Sequence, residues 1–342
     1  MSWKSSGPPP GSKAMEYYGT LGRACWDRPM LDRLFRAGMT GARLNLSHVG
    51  LDRCMERLER DFWPAARAAG RAHAHLILDL QGPELRVGDL PEPVELTAGE
   101  PVRLGPGAIP VPDFVLTHAR PGQEISLDDS ALLLETELVT PEGVCCRVKR
   151  GGVLERRKSI ALPGVPLTTP TLTPADLDNL DLAAAAGATH ILQPFVRWRQ
   201  DVDALRDQLH LRGLDRVKIM AKIENQTGLD HLEEILASAD ELCIARGDLG
   251  NGMPLWLLPE TQKHLAARCR AADKPFCLVT QLLWSMEQRP VPTRAEVLDI
   301  YNGVLDGASS LMLTGETAAG LYPAEAMEYL TRTARRALLQ RQ

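Results

Sequence analysis

The sequence predicts an α/β fold: a (β/α)8 TIM barrel with a small all-β domain inserted after strand three. Three observations carry the prediction. Eight short apolar runs alternate with amphipathic stretches that stop at Gly or Asp, the rhythm of parallel strands buried on both faces and linked by helices. No GxGxxG follows the first run, which argues against an open dinucleotide-binding sheet and for a closed barrel. The rhythm breaks once, over residues 88–162, where Pro and Gly punctuate short alternating segments and no convincing helix appears.

Taken in order, residues 1–14 are rich in Ser, Gly and Pro and lack the apolar core of a signal peptide, so they read as a mobile N-terminal arm. The barrel is expected over 15–87 and 163–342. Its strands are Met15–Thr20, Ala42–Leu46, His75–Asp79, His190–Gln193, Val217–Lys222, Glu241–Arg246, Pro275–Thr280 and Ser310–Thr314. The helices between them end in turns such as RAGMTG, AAGRAH, AAGATH and LDGASS, where Gly or Asp tolerates a left-handed cap. The 88–162 insert reads as strands VELTAG, PVRLGPG, EISLDD, ALLLETELVT and GVCCRVKRGG. A domain leaving a barrel from a strand's C-terminal end lies over the catalytic face, so this one is expected to act as a lid. The helical rhythm resumes at Thr173–Ala186 and stops at Gly187.

Composition narrows the function. The 342 residues are 44% apolar and 24% charged, the profile of a globular protein rather than a disordered or collagen-like one. A net charge of −5 and only 5% aromatics make nucleic acid or an anionic membrane a poor partner. No apolar run is long enough to span a bilayer. The seven cysteines fit neither a disulfide framework nor a zinc site, and free thiols without a signal point to the cytoplasm.

Polar residues at the C-terminal ends of barrel strands converge on one site, and here they form a coherent set. Strand two ends with Arg43, Asn45, Ser47 and His48; strand three with Asp79, Glu84 and Arg86; strand four with Arg197; strand five with Lys222, Glu224 and Asn225; strand six with Arg246 and Asp248; strand seven with Thr280 and Gln281; strand eight with Thr314, Glu316 and Thr317. Arg43, Arg86 and Lys222 suit a phosphoryl group. Glu224 and Asp248 are hard oxygen donors, and two carboxylates with substrate oxygens and water make a typical Mg²⁺ site. The Gly247–Gly250 run would offer backbone N–H groups to an anion. Together these point to phosphoryl transfer rather than acyl or hydride chemistry. His73 and His75 resemble a metal pair but lie at the wrong end of strand three, and they read as structural or surface residues. Arg294 and Glu296 read as barrel-rim ion-pair residues.

At these residues the chain resembles pyruvate kinase. The matching motifs are ARLNLSH, LDLQGPELR, ISLDD, RRKSIALPG, VKIMAKIENQTG, CIARGDLG, VTQLLWSM, PVPTRAEVLD and LMLTGETAAGLYPAEA, collinear from about Thr20 to about Arg336. The resemblance implies that Glu224 and Asp248 hold Mg²⁺ (or Mn²⁺) shared with phosphoenolpyruvate, and that Lys222 neutralises the transferring phosphoryl group and the enolate. It implies that Arg43 binds phosphate, and that Gly247, Asp248 and Thr280 hold the substrate carboxylate. Thr280 and Glu316 would belong to the chain that protonates the enolate. Asn45, Ser47, Asp79 and the Leu80 carbonyl match a K⁺ site, and His48, Arg86 and Lys158 match nucleotide contacts, with Asp129 a weaker one. The implied reaction converts phosphoenolpyruvate and ADP to pyruvate and ATP. A homodimer through the barrel is the assembly such a chain allows.

The departures are also specific. Leu80 and Gln81 follow the family's potassium-independent pattern, whereas Glu84 follows the potassium-dependent one and leans the reading towards K⁺. The first strand has Glu16-Tyr17-Tyr18 where the family has a basic residue, and Arg23 where it has Pro. Asn251-Gly252 replaces a common Val-Glu pair. The chain stops at Gln342 just after the eighth helix, so the family's C-terminal allosteric domain is expected to be absent. Two alternatives stay open: an Mg²⁺–enolate lyase, aldolase or mutase acting on a pyruvate-like substrate, and a non-catalytic phosphoenolpyruvate-binding protein.

Overall fold

The computed structural model describes residues 15–128, 130–165 and 168–341. The N-terminal arm expected at 1–14 and the candidate Asp129 lie outside them. Fifteen strands follow in chain order. The barrel strands are β1 (Glu16–Thr20), β2 (Gly41–Asn45) and β3 (His75–Asp79), then β11 (His190–Gln193), β12 (Lys218–Ile223), β13 (Glu241–Ala245), β14 (Phe276–Val279) and β15 (Ser310–Leu313). Between β3 and β11 come β4 (Val94–Leu96), β5 (Pro101–Leu104), β6 (Glu124–Leu127), β7 (Leu132–Thr140), β8 (Gly143–Arg150), β9 (Gly152–Leu154) and β10 (Ile160–Ala161).

Eight parallel strands close in the order β1-β15-β14-β13-β12-β11-β3-β2, the (β/α)8 barrel that the eight apolar runs predict. Local chemistry sets its corners. Helix Arg28–Ala37 starts where the Asp27 carboxylate accepts from the Met30 N–H, and it ends at Gly38 with φ 114°. A side chain there would strain the backbone and strike Thr331 Cγ2 at 2.9 Å. Helix Pro174–Ala186 opens with a full capping box between Thr173 and Asp176 and closes at left-handed Gly187.

The segment between β3 and helix Pro174–Ala186 builds a five-stranded antiparallel sheet, β10-β6-β7-β8-β5, and the pair β4-β9 around its own apolar core, including Leu104, Ile125, Leu127, Leu134 and Val144. It also contains a helix, Asp113–His118, where none was expected. Six residues are too few to show a 3.6-residue period in sequence, and Phe114 and Val115 anchor this turn by burial in the same core. Two antiparallel chain segments carry the insert. Arg86 and Ser159 form an isolated bridge, the Val87 N–H donates to the Lys158 carbonyl at 2.8 Å, and the Ile160 N–H donates to the Leu85 carbonyl at 2.8 Å.

Inside the barrel, residues two apart on a strand share a face, so each strand reads as a column. Tyr18, Ile77, Leu192, Met220, Cys243, Ala245, Cys277, Val279 and Met312 form one buried cluster, the apolar middle layer of a filled barrel. Two residues further on, the same columns carry Thr20, Asp79 and Lys222. Two residues back lie Glu16, His75, His190, Lys218, Glu241 and Ser310, which form a polar floor. The His75 and His190 rings meet edge-on with centroids 5.0 Å apart. Glu241 lies 3.5 Å from His190 Nε2 and 2.9 Å from Lys218 Nζ, and Glu16 lies 3.8 Å from His75 Nε2. His75 is therefore a half-buried, structural member of the charge cluster at the barrel's floor.

The floor should make stability acid-sensitive. Burial, reinforced by His190, lowers the His75 pKa. Burial would raise that of Glu241, but His190 and Lys218 outweigh it and hold the carboxyl down to about 2. A histidine lowered on folding stabilises fully above its unfolded pKa of about 6.5 and loses that contribution as pH falls. Glu241 loses its contribution further down, as pH falls from about 4.5 towards 2. Thermal unfolding midpoints should drop between pH 7 and pH 5. His75→Gln should flatten that drop, and an unchanged slope in the variant would remove His75 as its source.

Candidate active site

A cleft of about 1170 Å³ opens over the C-terminal ends of the barrel strands and beneath the insert. Arg43, Asn45, Ser47, His48, Asp79, Leu80, Glu84, Arg86, Lys158, Lys222, Gly247, Asp248 and Thr280 line it. Glu224 lies on the wall of an adjoining cavity of about 300 Å³ that also borders Glu84 and Asp248. Residues from both sides of the insert and from six barrel strands or their C-terminal loops thus meet in one place.

Asp79 is the centre of the arrangement. It is 2% exposed. One carboxylate oxygen accepts from Arg43 Nε at 2.7 Å and Nη2 at 2.5 Å, and the other lies 3.9 Å from Lys222 Nζ. Arg43 also donates to the Thr20 hydroxyl at 3.1 Å. Lys222 near the end of β12 and Glu224 just past it are two residues apart in extended chain and point the same way, with Lys222 Nζ 3.2 Å from Glu224 Oε2. The Phe195 N–H fixes the other Glu224 oxygen at 2.7 Å. Burial alone would lower the Lys222 pKa, but Asp79, Glu224 and Asp248 outweigh it and hold the ammonium charged well above its ordinary value. Burial pushes Glu224 the other way, up to about 8, with Asp248 adding to the rise and Lys222 opposing it.

This donor set fits a hard divalent cation. Asp79 Oδ1 and Glu224 Oε2 are buried without a hydrogen-bond partner and meet the Lys222 ammonium at 3.9 and 3.2 Å, so each keeps lone-pair capacity for a further cation. Among the described residues no group of three or more His, Cys, Asp or Glu forms a metal cage. A hard cation such as Mg²⁺ can bind through one or two carboxylates and complete its shell with water and substrate oxygens. Metal charge beside Glu224 would reverse the upward pull of burial on its carboxyl.

The cleft's rim carries the groups expected to meet a nucleotide. Burial, then the Arg86 and Arg43 charges, lowers the His48 pKa, which keeps that ring neutral. Arg86 forks onto Glu84 Oε2 at 2.9 and 2.6 Å and reaches the Arg157 carbonyl at 2.8 Å. Lys158 pairs with Asp128 at 3.0 Å. At the opposite end, Thr280 and Gln281 are consecutive residues with φ of 77° and 54°. Neither is Gly, Asn or Asp, and Thr280 is β-branched, so each conformation costs on the order of 1–3 kcal/mol that surrounding contacts must offset.

Three further candidates, Glu316 and Arg197 after strand ends and Glu296 on a helix, are engaged in structural contacts. Glu316 is 1% exposed and lies off the cleft wall. Its oxygens accept from the Leu283 N–H at 3.0 Å, the Thr314 N–H at 2.7 Å and the Thr314 hydroxyl at 3.2 Å. It braces the loops after β14 and β15. Arg197 is locked in a buried two-pronged pair with Asp201 at 2.9 and 2.8 Å. Glu296 accepts from Ser285 and Thr293 and caps its own helix rather than pairing with Arg294. Sequence reasoning also missed Asp176, which accepts from the Gln81 and Gly82 N–H groups at 2.8 and 3.1 Å and holds the loop after β3. The T-x-x-D capping pattern was its only visible signal.

Such a site sets cations beside buried carboxylates at the mouth of a closed (β/α)8 barrel. The family model for the pyruvate kinase barrel domain matches residues 13–327. The chain is 37% identical to the pyruvate kinase of Aeropyrum pernix over 322 residues, covering 93% of this chain and 69% of that protein. It is 37% identical to the pyruvate kinase of Mycobacterium tuberculosis, covering 92% and 68%. It is 36% identical to that of Geobacillus stearothermophilus, covering 93% of this chain and 56% of that protein. The chain belongs to the pyruvate kinase family. It spans little more than half to about two thirds of the length of these relatives.

The Asp79 hub predicts a stability effect. Asp79→Ala would leave the Arg43 and Lys222 charges without their shared partner, and it should destabilise the fold by about 3–5 kcal/mol. Urea unfolding checks this, and a loss below about 1 kcal/mol would mean that water or Glu224 takes over the pairing.

Proposed function

We propose that the chain transfers the phosphoryl group of phosphoenolpyruvate to ADP, giving pyruvate and ATP, with Mg²⁺ or Mn²⁺ bound at Glu224 and Asp248. The observation that carries this is the buried Lys222 ammonium, charged and set between Asp79 and Glu224 beside Arg43. In this reading Arg43 and Lys222 receive the phosphoryl oxygens. The bond from phosphorus to the enol oxygen breaks as a terminal ADP oxygen attacks, and Lys222 stabilises the enolate left behind. Gly247, Asp248 and Thr280 hold the substrate carboxylate, and Thr280 stands near the face where carbon takes its proton. His48, Arg86 and Lys158 receive the nucleotide. The divalent cation, when bound, supplies charge neutralisation at the phosphoryl oxygens.

Asn45, Ser47, Asp79 and the Leu80 carbonyl are grouped on one wall of the cleft and are oxygen donors, which supports K⁺ there. The insert acts as the lid. Trp256, at 80% exposure, gives the barrel an exposed apolar side chain that suits a homodimer. Among the described residues no helix is long and apolar enough to cross a membrane.

A coupled assay for pyruvate, with and without ADP, Mg²⁺ and K⁺, tests the reading. Turnover should need ADP and Mg²⁺ and should fall on replacing K⁺ with a tetraalkylammonium ion. Phosphoenolpyruvate binding without turnover on any nucleoside diphosphate would refute it. Lys222→Met should cut kcat by about 10³-fold or more, while Mn²⁺ affinity, read by electron paramagnetic resonance, stays close to that of the unmodified chain.

A further inference from the structure

One side chain ties the ends of β13 and β14 together, and the chemistry above leaves it without a part. Arg246 Nε and Nη2 donate to the Thr280 carbonyl at 3.1 and 2.7 Å. Its Nη1 pairs with Asp299 at 2.6 Å, on helix Arg294–Leu305, with Gln262 Oε1 at 3.5 Å. A guanidinium presents its donors in a rigid plane. Here one edge holds a carbonyl while the other is itself held by a carboxylate. Arg246 is nearly buried, with 12% of its side chain exposed, and its donors face protein rather than the space between Arg43 and Lys222.

The carbonyl it holds belongs to the strained peptide. Thr280 and Gln281 both sit at positive φ, a conformation that a β-branched residue adopts only when its surroundings enforce it. The same peptide aims the Thr280 side chain. A Cβ built on Gly247 would lie 3.2 Å from Thr280 Cγ2 and 3.7 Å from its Oγ1, so the side chain rests directly over the Gly247 backbone. The fork on the carbonyl thus decides where the hydroxyl stands relative to Gly247 and Asp248.

We propose that Arg246 is a positioning residue: anchored by Asp299, its guanidinium clamps the Thr280 carbonyl and so holds the Thr280 hydroxyl over Gly247 and Asp248 for the transfer. This rests on the phosphoryl-transfer reading of the site. Arg246 acts through Thr280 and touches no reacting atom. Because Asp299 belongs to a barrel helix, movement of that helix reaches the site through one ion pair and one carbonyl.

A double-mutant cycle on the full chain tests it, with Arg246→Gln, Thr280→Ala and the pair compared by steady-state kinetics. Each single change should lower kcat by about 10²-fold with the ADP KM held within about twofold, and the pair should fall no more than about threefold below Thr280→Ala alone. Arg246→Lys, which keeps the charge and one donor, should recover about tenfold of the loss. Losses that multiply to about 10⁴-fold, or an ADP KM that rises with the loss, would overturn the proposal and make Arg246 a general structural or independent group. If Arg246→Gln does not fold, Asp299→Asn takes its place in the cycle with the same expected non-additivity. An unmodified chain without turnover sinks the phosphoryl-transfer reading and this proposal together. An active chain with multiplying losses sinks the proposal alone.

Discussion

Everything at the top of the barrel depends on one carboxylate serving two cations. Asp79 faces Arg43 from the neighbouring strand and Lys222 from two strands away, and Glu224 adds a second anion beside Lys222. Burying four such charges costs several kcal/mol per ion, and pairing returns that cost only when the geometry is good. Apolar residues of equal volume would stabilise the barrel at least as well. Under the proposed reading the arrangement makes sense as a site already organised for ligands that bring their own charges: a phosphate to meet Arg43 and Lys222, and a divalent cation to meet Glu224, whose buried Oε2 has no hydrogen-bond partner. Fixed charges that need no reorganisation are the main means by which a protein stabilises a transferring phosphoryl group.

The barrel can hold this cluster because its lumen is layered. Alternation along each strand sends every second residue inward, so Glu16, Tyr18 and Thr20 form one column, His75, Ile77 and Asp79 another, and Lys218, Met220 and Lys222 a third. The apolar middle layer separates two polar layers that would otherwise share water and ions. The floor cluster around Glu241 and the site around Asp79 therefore lie on opposite sides of this layer, although the same strands build both.

That periodicity is also why so much was legible in the sequence. Lys222 and Glu224 announce a shared face by their spacing, and eight apolar runs between helix stops leave few topologies open. What stayed hidden depends on which distant residues meet. His75 reads as a stray histidine until β11 is laid beside β3, and that adjacency spans the whole insert. Glu316 reads as a strand-end acid like Glu224. Only the chain's path shows that two backbone N–H groups consume its oxygens. The positive φ angles of Thr280 and Gln281 have no sequence marker, because the glycine or asparagine that usually signals them is absent.

The insert's attachment adds a constraint on how the cleft can work. Its entry and exit segments are hydrogen-bonded to each other across Leu85–Val87 and Lys158–Ile160, so they behave as one ribbon rather than two loose tethers. Arg86 and Lys158 sit on opposite strands of that ribbon, and Glu84 and Ser159 flank them on the cleft wall. Arg86 and Lys158 are thus tied to each other through the ribbon's backbone, while Asp79, Lys222 and Glu224 are placed by the barrel strands and their ends. The rim cations and the buried charges are therefore positioned by separate parts of the fold. Under the proposed phosphoryl transfer that separation is useful, because removing a partner from a buried charge cluster is costly, whereas partly exposed rim cations can shift at little cost.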